Sequence, residues 1–301
     1  MKRILVTGGA GFIGSHLVEE LVKLGNNVTV VDDLSNGKIE NLAHIKDRIT
    51  FLKRDISKLT GLQANFDVIY HLACFPRSLS FENPQRDAEV NVIGMVNVLE
   101  LAKKSGAKVI FSSNSGIYDT SKVPIDENTP DNPKTPYDLD KLHAENYLKL
   151  YNKIYGIKYV IFRLATVYGI RQRVSPRWRP VVMEFITKLK NKEAPIIYGD
   201  GKQTRDFINV KDIVKALVLA LENEKAVNET MILGSGKEIS INELYGIISR
   251  LMGVKITPIY KPAQLGDIRR MVYDCKKAQN ILGWKPKISL EEGITEIIDQ
   301  I

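Results

Sequence analysis

Tyr137 and Lys141 stand four residues apart in Thr135-Pro136-Tyr137-Asp138-Leu139-Asp140-Lys141. Thr135 is the expected cap of a helix and Pro136 suits its first turn. The spacing puts phenol and ammonium on one helix face. A phenol with its ordinary pKa of about 10 is a poor base at neutral pH. A neighbouring cation favours the phenolate, so Tyr137 becomes a usable proton donor or acceptor beside Lys141. The same pair also occurs on ordinary solvent-facing helices, so its meaning depends on what precedes it.

What precedes it is Thr-Gly-Gly-Ala-Gly-Phe-Ile-Gly at residues 7–14, directly after an apolar β-type run and opening an amphipathic stretch. Gly8 permits a tight turn, Gly11 lets backbone amides approach a pyrophosphate, and Gly14 lets helix and strand pack closely. Phe12 and Ile13 complete the turn. Asp32 ends the second apolar run, where a carboxylate accepts ribose hydroxyls and repels a 2′-phosphate, so NAD is favoured over NADP. Asp33 adds charge beside it and leaves open which carboxylate binds. Asp55 follows the third run and either reaches an adenine edge or simply caps the strand end. His71-Leu72-Ala73 ends the fourth run, where small residues allow close approach to a cofactor; the lone His71 is the kind more often structural than catalytic.

The elements that position these residues alternate from the start of the chain. Ile4–Val6, Val28–Val31, Ile49–Leu52, Val68–Tyr70, Val109–Phe111 and Tyr159–Phe162 are short β-branched or aromatic runs of the kind that form buried parallel strands. Helical patterns lie between them at Phe12–Leu24, about Pro84–Lys104 and Pro136–Tyr155. Alternation of this kind predicts an α/β fold, a Rossmann-type doubly wound parallel sheet covered on both faces. After Arg163 the loops lengthen. The pattern predicts an NAD-binding domain over 1–165, with 205–223 returning to it, and a smaller mixed α/β unit over 166–301 that binds substrate. Ser240 with Glu243, and Ser289 with Glu292, are capping-box signatures for two late helices.

With these residues in place, the sequence resembles the extended short-chain dehydrogenase/reductase family, and within it nucleotide-sugar epimerases of the UDP-glucose 4-epimerase type. The likeness spans nearly the whole chain. It rests on TGGAGFIGSH at 7–16, VVDDLSNG at 30–37, HLA at 71–73, Asn91 with Val92 and Gly94, the Tyr137–Lys141 pair, GDGKQTRDFINVKD at 199–212, LGWKP at 282–286 and LEEGI at 290–294. The resemblance implies an NAD reduced and reoxidised within one turnover, with Tyr137 taking the proton of a sugar hydroxyl and a 4-keto sugar presenting its other face for reduction. It implies that Lys141 binds the nicotinamide ribose and that Ile56, Leu72, Ala73, Asn91 and Ser112 join the cofactor site. Arg205 and Arg270 become diphosphate ligands. The helices near 84–104 and 136–155 become a homodimer interface, for which Tyr147, Leu150, Tyr151 and Ile154 offer an apolar stripe.

Departures from the family pattern concern the chemistry and the substrate. Where the family places a Ser or Thr to hydrogen-bond the reacting hydroxyl, Ser112-Ser113-Asn114-Ser115-Gly116 puts Asn114. An amide donates to a developing oxygen charge but does not relay a proton as a hydroxyl does. Ser113 or Ser115 takes that role through a shifted turn, or Tyr137 works alone. Ser115 and Gly116 replace the Asp-Glu pair of sugar 4,6-dehydratases, which disfavours dehydration. Thr166 stands for a diphosphate-contacting asparagine, and Gln264 for a common arginine. Arg171, Arg173, Arg177 and Arg179 cluster around Trp178, either compensating as cations beside the cleft or forming a solvated basic loop.

Composition bounds the alternatives. The chain has 301 residues, 44% hydrophobic and 26% charged, with 43 Lys and Arg against 35 Asp and Glu for a net charge of +8. That is globular, and no recognition motif accompanies the charge to suggest a nucleic-acid partner. The longest apolar stretch, Ala216–Leu221, is too short for a membrane span. Two cysteines, Cys74 and Cys275, lack disulfide-framework or metal-ligand spacing, and no metal is expected. No export signal is read in Met1-Lys2-Arg3, so a cytoplasmic enzyme is expected. The leading reading is NAD-dependent C4 epimerisation of a UDP-hexose. The alternatives are 2-epimerisation or decarboxylation of a nucleotide-sugar, and a non-catalytic NAD-binding regulator.

Overall fold

Each of the six short apolar runs forms a strand in the computed structural model, which describes the chain apart from residues 64, 175–178 and 264–267. They are β1 (Arg3–Thr7), β2 (Asn27–Asp32), β3 (Ile49–Lys53), β4 (Val68–His71), β5 (Lys108–Asn114) and β6 (Tyr159–Leu164). A seventh, β11 (Glu229–Leu233), completes a sheet in the order β3-β2-β1-β4-β5-β6-β11, parallel throughout. The order reverses between β1 and β4, where a doubly wound sheet opens its crevice.

Strand alternation sends Ile4, Val6 and Tyr70 to one face, covered by α1 (Phe12–Lys23) and α6 (Val210–Leu219). Leu5, Ile69 and Phe111 face the other way, onto α3 (Gly94–Ser105) and α4 (Pro136–Tyr155). Each fully buried aliphatic side chain in these layers stabilises the fold by roughly 1.5–3 kcal/mol. The helix expected over 84–104 is interrupted. It consists of α2 (Pro84–Ala88), a widened π turn over Glu89–Ile93, and α3. Such turns often sit at functional sites, and this one carries the buried Asn91.

The rest of the chain builds a smaller mixed unit. Here β7 (Thr166–Tyr168) pairs with β10 (Phe207–Asn209), β8 (Ile196–Tyr198) with β13 (Ile259–Lys261), and β9 (Thr204–Arg205) with β12 (Ile239–Ser240). Phe185 and Leu189 of α5 (Val181–Lys190), Leu244 and Ile248 of α7 (Ile241–Met252), and Ile294 of α9 (Leu290–Ile298) share its core. Both capping boxes form as expected.

The return to the first layer is wider than 205–223. It includes β11, which covers the edge that β6 would otherwise expose. It also includes α8 (Lys276–Leu282) and Trp284, whose Nε1 donates to the Asp212 carbonyl at 2.9 Å. Among the described residues no helix is long and apolar enough to cross a membrane.

Candidate active site

A cleft of about 870 Å³ opens at the switch point of the sheet. Its floor is the glycine turn. Gly8 has φ +72°, and a Cβ there would lie 2.6 Å from the Ala73 nitrogen; a Cβ on Gly14 would lie 2.1 Å from the Gly8 carbonyl oxygen. Neither position tolerates a side chain without backbone movement. Gly11 precedes α1 with no side-chain cap, so first-turn amides meet the cleft without a resident acceptor from a capping side chain. A helix terminus of this kind can hold an anion. Phe12 and Ile13 also line it.

At the far end, Asp32 is buried and folded into the turn. Its Oδ2 accepts from the Ala10 amide and its Oδ1 from the Leu34 amide, both at 2.9 Å. Burial pushes its pKa up, against those two bonds. Asp33 accepts from the Ser35 amide and hydroxyl. Asp55 both caps a short turn, accepting from the Ser57 amide at 2.9 Å, and lines the cleft beside Ile56. Burial raises the Asp55 pKa, but its bonds with Ser57 and Arg86 outweigh burial and hold it low.

Arg86, which sequence reasoning missed, organises this end. It donates to Asp55 at 2.6 Å, to Ser57 Oγ at 3.0 Å and to Glu89 at 3.1 Å, and lies 3.9 Å from Asp33. Only the folded helix start brings it to Ser57 and Asp55, which lie 29 and 31 positions upstream.

The cleft continues over Leu72, Ala73, Ser112, Ser113 and Asn114 to Tyr137. Asn91 lies behind it, its Oδ1 accepting from the Phe75 amide at 3.3 Å, and so supports the Ala73–Arg77 segment that lines the wall. His71 is fully buried against Phe111 and hydrogen-bonded to Thr7 Oγ1 at 2.8 Å. Burial and Lys141 push its pKa down to about 3, so it is a neutral core residue.

Thr135 caps α4, its Oγ1 accepting from the Asp138 amide, and sets Tyr137 and Lys141 on the inward side. Lys141 is buried. Its Nζ donates to the Ser112 carbonyl at 3.0 Å and sits 4.7 Å from the Phe111 ring centre and 5.7 Å from that of Tyr137. Burial lowers its pKa while Cys74, Asp87 and Glu145 oppose that. Burial, then the Cys74 thiol and the Asp138 carboxylate, push the Tyr137 phenol well above its ordinary value. In the free chain Tyr137 therefore holds its proton.

The three candidate partners of Tyr137 are all engaged. Ser113 Oγ donates to Glu145 at 2.5 Å and Ser115 Oγ to the Leu164 carbonyl at 2.6 Å. Ser115 is not among the cleft-lining residues. Asn114 lines the cleft and is held by Asp138 and Gly116.

The arginines expected at a diphosphate are engaged with protein groups in this structure. Arg205 donates to the Thr204 and Ile268 carbonyls. Arg270 forms a two-pronged pair with Glu238 at 2.7 Å, and Arg179 pairs with Glu184 at 3.0 Å. Thr166, whose amide donates to the Asp206 carbonyl, begins β7 outside the cleft lining. Arg171 bonds Glu19 on α1 at 2.8 Å, while Gln172 and Arg173 line the cleft. Arg177, Trp178 and Gln264 lie outside the described residues.

Comparisons with known proteins identify the family. The family profile described as GDP-mannose 4,6 dehydratase matches residues 5–297. A putative UDP-glucose 4-epimerase of Methanocaldococcus jannaschii is 43% identical over 98% of this chain and 97% of that protein. UDP-glucuronic acid decarboxylase 1 of Arabidopsis thaliana is 35% identical over 98% of this chain and 69% of its own length. Among solved structures, UDP-glucuronic acid 4-epimerase from Bacillus cereus, in complex with UDP-glucuronic acid and NAD, superposes with a TM-score of 0.92 at 30% identity, covering 99% of this chain and 98% of that one. The chain belongs to the extended short-chain dehydrogenase/reductase family of nucleotide-sugar-modifying enzymes.

Proposed function

We propose that this protein is an NAD-dependent nucleotide-sugar 4-epimerase acting on a UDP-hexose of the glucose/galactose type. The observation that carries the reading is one cleft holding both the glycine cradle at the α1 terminus and Tyr137. NAD, when bound, accepts a hydride from the sugar carbon and returns it. The chain does the rest. The glycine turn and α1 amides hold a pyrophosphate, and Asp32 with Asp33 faces the ribose end. Tyr137 holds and moves the proton at its Oη. Lys141 places a buried ammonium 5.7 Å from the Tyr137 ring centre, where a cation favours the phenolate once the proton has left. The 43% identical relative, named a putative UDP-glucose 4-epimerase, favours a neutral hexose.

The protein is further proposed to be a homodimer. Leu139, Tyr147, Leu150, Ile154 and Tyr155 of α4 are exposed, an apolar surface suited to a second copy.

The test is to measure NAD released from the purified protein, and to follow a panel of UDP-, GDP-, CDP- and dTDP-sugars by NMR without added cofactor. Interconversion of two C4 epimers is expected. A pentose product from UDP-glucuronate would instead assign the decarboxylation that the Arabidopsis relative's name describes, and no turnover of any sugar would overturn the enzymatic reading.

A further inference from the structure

The position at which the family carries a hydroxyl is occupied here by an amide whose orientation the structure determines. Asn114 Oδ1 accepts from the Gly116 amide at 3.1 Å, and its Nδ2 donates to Asp138 Oδ1 at 2.5 Å. A backbone N–H only donates and a carboxylate only accepts, so the two ends of the amide are not interchangeable. One of the two N–H groups on Nδ2 goes to Asp138. The other is not needed by this network, on a residue that shares the cleft wall with Tyr137.

Asp138 is itself gripped. It is fully buried, follows Tyr137 directly in the first turn of α4, and receives both Nε and Nη2 of Arg77 at 3.1 Å. Two parallel bonds fix a carboxylate in plane as one bond does not. Arg77 comes from the turn after β4, with its side chain 46% exposed, and also lines the cleft. The pair therefore has two consequences for Asn114. Its planar geometry locks the amide, and its positive partner offsets a carboxylate that would otherwise oppose negative charge forming on a nearby oxygen.

Resting on the epimerase reading above, we propose that Arg77 and Asp138 are positioning residues that hold Asn114 as a fixed amide donor to the sugar oxygen from which Tyr137 takes the proton. The amide replaces the hydroxyl of the family pattern. It stabilises the developing oxygen charge without carrying the proton, which travels through Tyr137 alone.

The test is a double-mutant cycle on the NAD-loaded protein, measured on whichever nucleotide-sugar the wild type turns over. Arg77→Ala should lower kcat on the order of tenfold or more with little change in KM, as loss of an oriented oxyanion donor does. Asn114→Ala should lower it at least as much. In the Asn114→Ala background, Arg77→Ala should add less than about twofold, since no amide remains to position. Arg77→Lys, which keeps the charge and loses the fork, should fall between wild type and Arg77→Ala, and it serves in the cycle should the alanine variant not fold.

Equal losses from Arg77→Ala in both backgrounds, no loss in the wild type, no loss from Asn114→Ala, or an effect confined to KM would each overturn the proposal. An effect confined to KM would instead place Arg77 on the substrate itself. Absence of wild-type turnover refutes the epimerase reading, whereas normal wild-type turnover with additive losses refutes this one alone.

Discussion

Glu145 joins α4 to the sheet, and its removal has a calculable cost. It lies two turns beyond Tyr137 on α4, fully buried, and accepts Arg163 Nε at 2.9 Å, Arg163 Nη2 at 2.8 Å and Ser113 Oγ at 2.5 Å. Arg163 on β6 is also buried, and its remaining arm meets Asp131 at 2.6 Å, a carboxylate whose side chain is 37% exposed. At an effective dielectric of about 20, opposite charges roughly 4 Å apart attract by about 4 kcal/mol. Breaking a buried pair on one side costs about 3–5 kcal/mol because the other charge is left poorly compensated. Glu145→Gln should therefore destabilise the fold by about that much. Adding Arg163→Met removes the orphaned guanidinium, so the double variant should cost about 3 kcal/mol less than the sum of the two single variants. Urea unfolding at pH 7.5, followed by tryptophan fluorescence with NAD concentration held constant, measures all four corners, since bound ligand adds to apparent stability. Additivity within about 0.5 kcal/mol would refute the coupling.

Gly14→Ala should abolish NAD retention while leaving soluble protein, because its Cβ would meet the Gly8 carbonyl at 2.1 Å; cofactor absorbance after gel filtration reads this, and full occupancy would contradict it. Tyr137→Phe should lower turnover by roughly 10²-fold or more with NAD retained, the scale of a general acid–base group, and unchanged turnover would remove Tyr137 from the chemistry. Asp87 is fully buried, its pKa pushed up to about 7 by burial and by Asp140. Because the folded value lies above the unfolded one, stability falls as pH rises from about 4 to about 7 and stays lower above that. Asp87→Asn should thus stabilise at pH 8 by up to the order of 4 kcal/mol and be neutral near pH 4; urea unfolding at the two pH values checks it, and a pH-independent effect would contradict the assignment.

Local pattern carried far in this chain where a single residue type has one use. The six apolar runs became strands, the glycine turn became the cleft floor, and Thr135, Ser240 and Ser289 capped the helices they were expected to cap. The edge strand β11 was not legible, because five residues after a short turn gain their identity only by pairing with β6. The same limit governed the site. Arg77 and Arg86 act through Asp138 and Asp55, partners 61 and 31 residues away, and no spacing rule reaches that far. Asn114 was visible as a departure, but its meaning depended on Asp138, which a helix pattern marks only as a first-turn acid. Arg205 and Arg270 are legible by motif position, but their bonds within the chain are not: Arg205 Nη1 donates to the Thr204 and Ile268 carbonyls and the Arg270 fork to Glu238.

The most direct test of the epimerase reading uses UDP-glucose carrying deuterium at C4, incubated with the purified protein in ordinary water without added NAD. Transient oxidation at C4 within one cleft predicts UDP-galactose with the deuterium still on C4, because the hydride that leaves the sugar is the one that returns. UDP-galactose with C4 deuterium exchanged for solvent hydrogen, or no UDP-galactose from a protein shown to hold NAD, would contradict it.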